Sequence, residues 1–193
     1  MDLNDPTTVA LLAADAFDAA GYAYALYGGL LTAAYGDPRE TRDADLAIVD
    51  VALSDAANAL AARGVRTAMA FDTVVFGGLW LSRLTLLETE AASGLNTIDL
   101  VRPRSDRYAA VAVERGVVSE LRGRQIRVLT LEDFILFKTL STRDRDIEDA
   151  RAALRRNGPV LDAHLLDGEI AQLASELADV DVHGRWAMIQ RQP

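Results

Sequence analysis

Gly28-Gly29, a gap of thirteen residues and then Asp43-Ala44-Asp45 combine residue types and a spacing that can hold a metal ion and a phosphate. Tyr24 to Tyr27 reads as a short strand ended by the glycine pair, and Leu30 to Tyr35 as a helix opening at those glycines. Free backbone N–H groups and the helix dipole make such a terminus a phosphate site, and glycine lets the phosphate come close. Asp43 and Asp45 begin the apolar run Leu46-Ala47-Ile48-Val49. Residues two apart in a strand share a face, so both carboxylates point the same way. Two hard oxygen ligands suit Mg²⁺ carrying a triphosphate. A third carboxylate would complete a two-metal site, and Asp99, in the short β-type run Asn96 to Val101, is well placed to supply it. In the plainer alternative, Asp43 caps a turn and Asp45 is an exposed strand residue. Strands disfavour aspartate, however, and here three occupy strand starts or interiors.

The elements that must position these groups follow from local pattern. Thr7 to Ala20 is an amphipathic helix ended by Gly21. Ser54 is expected to cap a helix running to Arg63, which Gly64 stops, and Val65 to Ala70 reads as a strand. Gly77-Gly78 is a turn before a strand, since no helix follows it. Leu79 to Leu87 and Thr97 to Val101 are expected to pair antiparallel across the turn Ala91-Ala92-Ser93-Gly94, bringing Asp99 into the sheet of Asp43 and Asp45. Pro103 marks the exit from that sheet. A helix from Ser105 to Arg115 follows, then a hairpin of Val117 to Leu121 and Gln125 to Val128. Thr130-Leu131-Glu132-Asp133 starts a further helix with a capping-box pattern. Helices over Asp146 to Arg156 and Val160 to Leu177 complete the reading, separated by the breaker Asn157-Gly158-Pro159. The chain shows no repeat and no low-complexity segment.

Lys138 lies between Leu131, Phe134 and Ile135 on an apolar helix face. An unpaired buried ammonium is costly, so it must reach a phosphate or an acid, Asp146 or Asp149 being within range. Asp146 is expected to partner Lys138 or Arg143. His164 and His183 are far apart and lack ligand spacing, which argues against a zinc hydrolase; Trp80 and Trp186 read as packing residues.

With these residues in place, the chain resembles the nucleotidyltransferase superfamily. The stretches that carry the likeness are Gly28-Gly29-Leu30 and Arg39 to Leu46, joined by Leu131 to Phe134, Lys138 and Arg143 to Asp149. They are similar to segments of small bacterial members such as AbiEii-type toxins and antibiotic nucleotidyltransferases, over roughly residues 20 to 156. The likeness implies an α+β fold with a mixed β-sheet flanked by helices. Residues 1–103 would form the core with the metal site, and 104–193 a mostly helical C-terminal region packed on it. It implies Mg²⁺ on Asp43, Asp45 and Asp99, and in-line attack of an acceptor hydroxyl on the α-phosphate of an NTP with release of pyrophosphate. Asp99 would also assist deprotonation. Gly28, Gly29, Arg39, Thr41 and Lys138 would hold the nucleotide. The acceptor would be an RNA end such as tRNA, or a small hydroxylated compound such as an aminoglycoside, and a toxin-like member would need an antitoxin-like partner protein. A non-catalytic nucleotide- or partner-binding module of the same fold is the competing reading; no catalytic carboxylate is lost in this chain. Relatives often carry a serine after the glycine, which is missing here, so the backbone alone must supply that phosphate contact.

Composition bounds the rest. A chain of 193 residues has room for one domain or two small ones. It has no cysteine, which excludes disulfides, thiolate metal sites and cysteine nucleophiles. No apolar run approaches the roughly 18 residues that span a bilayer, and Met1 to Asp5 carries two acids and no base, unlike a signal peptide. A cytoplasmic protein without membrane partners is expected. The net charge of −9 argues against non-specific coating of nucleic acid. It is unevenly spread, because residues 102–156 hold twelve arginines and the only lysine against nine acids, a balance of +4 that leaves the remainder near −13. That local excess reads either as a solvated helical face or as a surface for a triphosphate or an RNA end.

Overall fold

The computed structural model describes residues 2–87 and 96–191. Helix α1 (Pro6–Ala20) starts at Asp5, whose carboxylate accepts from the N–H groups of Thr7 and Thr8, and stops at Gly21 in the left-handed region. Then follow β1 (Tyr24–Tyr27), α2 (Gly28–Tyr35), β2 (Asp43–Ile48), α3 (Leu53–Ala61), β3 (Arg66–Phe76), β4 (Leu79–Leu87) and β5 (Thr97–Pro103). The second half comprises α4 (Asp106–Arg115), the hairpin β6 (Val117–Leu121) and β7 (Arg124–Val128), and helices α5 (Leu131–Leu140), α6 (Asp144–Asn157), α7 (Ala163–Glu176) and α8 (Val182–Gln190).

The strands form one mixed sheet in the order β3-β4-β5-β2-β1-β7-β6. This is the expected α+β architecture, with β4 antiparallel to β5 and β5 parallel to β2. The hairpin of the second half joins the same sheet, β7 pairing parallel to β1. Strand alternation gives the sheet two different faces. On one, Tyr24 meets Phe17 of α1 edge-on at 5.7 Å. On the other, Tyr27 packs against Phe134 and Phe137 of α5, with ring centroids 6.1 and 5.0 Å away. Leu46, Leu84, Ile98 and Leu100 fill the α1 side, fully buried. The opposite side carries the polar groups of the site.

Several boundaries differ from the expected ones, and one helix is additional. Strand β3 continues past Ala70 to Phe76 because it pairs with β4 over most of its length, through register shifts on either side of Phe71. Asp72 and Thr73 sit in that irregularity, Thr73 with φ of 55°, and bond to the Ser82 hydroxyl; the bulge interrupts the period-two pattern. Ala52, not Ser54, caps α3. Asp162 caps α7, so Val160 lies in a short 3₁₀ turn before it. Helix α8, capped by Asp181, is additional. The turn expected at Ala91 to Gly94 lies outside the described residues.

The uneven charge has a structural cause. Among the described residues, ten of the twelve arginines of 102–156 pair with a carboxylate, Arg127 and Arg145 being the exceptions. Many partners lie in the acidic remainder of the chain: Asp5, Asp15, Asp37, Glu169, Glu176 and Asp179. The basic segment is thus largely neutralised within the molecule.

Candidate active site

Register places the site. Tyr27 of β1 faces Asp45 of β2, Asp45 faces Asp99 of β5, and Asp99 faces Arg83 of β4. Partners in adjacent strands share a face, so these four side chains form one row across the sheet. One step along, Asp43 faces Thr97, whose hydroxyl donates to Asp43 Oδ1 at 2.9 Å. The three aspartates thus line one pocket together with Gly28, Gly29, Thr41 and Lys138.

The glycines have a packing requirement in addition to the expected one. Gly28 has φ of 72°, and a Cβ there would overlap the Asp45 carboxylate; a Cβ on Gly29 would overlap Thr41. One N–H of the first turn is already engaged, because Gly29 donates to Asp45 Oδ2 at 3.2 Å. The glycine pair therefore seats Asp45 and Thr41 against the start of α2. Thr41 in turn donates to the Asp43 carbonyl at 3.3 Å. Gly28→Ala combines a disfavoured backbone region with steric overlap, and is expected to cost about 2–4 kcal/mol of stability in urea unfolding.

Arg83, Tyr27 and Arg145 are members of the site to which the sequence reading gave no role. The Arg83 guanidinium grips Asp99 at both oxygens, Nε to Oδ1 at 2.6 Å and one terminal nitrogen to Oδ2 at 2.7 Å. The same nitrogen reaches Asp43 Oδ2 at 3.5 Å. Available signals were the charge of Arg83 on the same parity as Leu79 and Leu81, and the position of Tyr27 directly before the glycines. The Tyr27 hydroxyl is buried and, among the described residues, is the one such side-chain atom without a hydrogen-bond partner. Burial, with the charges of Asp146 and Asp45 nearby, holds this phenol well above its usual range, so it stays protonated.

A second layer comes from the helices. Lys138 is enclosed, its ammonium 2.6 Å from Asp146 and 3.0 Å from Asp149. The acid-paired alternative is thus the one found, and the lysine still lines the pocket. Asp146 also accepts from Arg143 at 3.0 Å, and Asp149 from Arg39 at 3.1 Å. Arg39 therefore braces α6 against the segment leading into β2. Arg145 borders the same pocket without a carboxylate partner among the described residues.

Electrostatics reflects this crowding. Burial, reinforced by the Asp99 charge, pushes Asp45 up to about 6, and burial also raises Asp99 despite Arg83. Burial alone would raise Asp146, but Lys138 and Arg143 outweigh it and hold the carboxyl below its usual range. A carboxyl with a raised native pKa favours folding below its unfolded value, near 3.8, and loses that contribution as pH climbs through about 6. Metal-free protein is therefore expected to lose stability relative to Asp45→Asn between pH 4 and 7. The difference should be on the order of 2 kcal/mol after allowing for partial solvent screening. Urea unfolding in chelator across that range checks it; parallel curves would contradict the assignment.

Asp43 and Asp45 suit a divalent cation: hard oxygens on one strand face, with a carboxylate charge that burial makes costly. Asp99 is otherwise engaged. Among the described residues, no set of three or more carboxylate or imidazole side chains is gathered as a ready metal cage.

No protein-family model matches the sequence, and no curated protein sequence matches it. Solved structures do. The fold is similar to an antigenic nucleotidyltransferase-like protein from Paracoccidioides brasiliensis, with 20% identity and a TM-score of 0.51, covering 90% of this chain and 88% of that one. It is equally similar to the antibiotic-resistance factor ANT(2'')-Ia, whose solution structure matches with 17% identity and a TM-score of 0.51 over 89% of this chain and 96% of that one. A crystal structure of ANT(2'')-Ia in complex with adenylyl-2''-tobramycin matches with 18% identity over 88% and 97%, again with a TM-score of 0.51.

Proposed function

We propose that this chain, which has the fold of nucleotidyltransferases, moves a nucleoside monophosphate from an NTP to an acceptor hydroxyl with Mg²⁺ held by Asp43 and Asp45. The observation that carries the reading is the row of carboxylates from neighbouring strands set beside Gly28-Gly29 in one pocket. When bound, the ion neutralises charge on the phosphate oxygens. The acceptor oxygen forms a bond to the α-phosphorus as the bridge to the β-phosphate breaks, and pyrophosphate leaves. Asp99, whose proton affinity burial raises, takes the hydroxyl proton, and Arg83 orients it. Arg145, a pocket cation without a carboxylate partner among the described residues, contacts the leaving phosphates, while Lys138 and Arg39 hold the helices that form the pocket wall.

The acceptor we propose is a small hydroxylated molecule, cationic in keeping with the acidic chain. ANT(2'')-Ia, one of the structures this fold resembles, was captured with an adenylylated tobramycin. An RNA end finds less support, since ion pairs occupy most arginines of the basic segment. The Arg83–Asp99 pair favours a second reading, a nucleotide- or partner-binding module without transfer activity, because it ties up a carboxylate that the reaction needs. The test is incubation with Mg²⁺ and each labelled NTP, offering an aminoglycoside panel and total tRNA as separate acceptors. Label on an aminoglycoside supports the proposal, and label on tRNA moves the acceptor to RNA. NTP binding without transfer to either favours the module.

A further inference from the structure

We infer that Arg83 is a built-in cation standing where a second metal ion would sit, so that the chain itself holds a single divalent ion, on Asp43 and Asp45. The inference rests on the nucleotidyl-transfer reading and departs from the two-metal arrangement expected from sequence. Both oxygens of Asp99 are engaged by the guanidinium, at 2.6 and 2.7 Å, and the Asp99 side chain is only 3% exposed. The terminal nitrogen that reaches Asp99 Oδ2 also lies 3.5 Å from Asp43 Oδ2. It therefore spans the gap that an ion shared by Asp43 and Asp99 would have to fill.

The placement is fixed by the fold. Arg83 and Asp99 are register partners in the β4–β5 ladder, and the guanidinium carbon stands 5.7 Å from the centre of the Phe71 ring. A guanidinium does not lose its proton in a protein, so Arg83 leaves only by breaking a two-point, charge-assisted pair.

The experiment counts Mn²⁺ bound per chain in nucleotide-free protein from the resonance of the free ion. The expected count is one for the natural chain, two for Arg83→Met, and one for Arg83→Lys, which keeps the charge but not the fork. Circular dichroism melting confirms that each variant is folded, and Arg83→Gln replaces Arg83→Met if the latter is not. Two ions on the natural chain overturn the inference and leave the nucleotidyl-transfer reading standing. A single ion on folded Arg83→Met or Arg83→Gln overturns it too, since Arg83 is then not what excludes the second. No Mn²⁺ on any variant overturns both.

Discussion

Replacing Lys138 with methionine is expected to destabilise the protein by roughly 3–5 kcal/mol, the cost of breaking a buried ion pair from one side. Methionine matches the length of the side chain and preserves its packing beside Tyr27 and Phe134, whose ring centres lie 5.2 and 5.5 Å from the ammonium. What it removes is the counter-charge of Asp146 and Asp149, both buried. Arg143 retains one hydrogen bond to Asp146 and Arg39 two to Asp149, which keeps the loss from being larger. The cost should shrink when Asp146→Asn and Asp149→Asn are added, because the orphaned charges are then gone. Urea unfolding at pH 7 measures both. A Lys138→Met loss under 1 kcal/mol would show that the triad is not a structural pin of α5 against α6.

The largest effect on activity is expected from Asp43→Ala with Asp45→Ala. Removing both carboxylates deletes the proposed ion site and with it the neutralisation of phosphate charge, an effect worth on the order of 10³-fold or more in transfer rate. Stability should change little or rise, since these two groups crowd each other and Asp99 in the absence of metal. The signature is therefore a folded protein that has lost its chemistry. Transfer surviving within tenfold would place the reacting phosphate elsewhere.

How far the sequence led is best seen in single residues. Asp43, Asp45 and Asp99 were legible because each opens or interrupts a short apolar run, and strand parity alone puts the first two on one face. The apolar face around Lys138 announced a buried ammonium in need of partners, and Asp146 and Asp149 were its nearest acids. Arg83 was not legible as part of the site. Its meeting with Asp99 depends on the register of β4 against β5, and residues 88–96 between them give no tight-turn rule that fixes it. The packing role of the glycine pair was not legible: the side chains that close on it are those of Asp45 and Thr41, a contact that spans more than ten residues and leaves no local mark. Helix α8 did leave one, with Val182, Trp186 and Ile189 buried at helical spacing, but Gly184 inside the run obscured it.

The central claim is that the aspartate row makes a metal-dependent nucleotide site. The most direct measurement is calorimetric titration of each NTP into the natural chain and into Asp43→Asn/Asp45→Asn, with Mg²⁺ and with chelator. Binding of at least one NTP that needs Mg²⁺ and vanishes in the double variant is the predicted result. Binding that ignores both Mg²⁺ and the substitutions, or no binding of any NTP to the natural chain, would contradict the account.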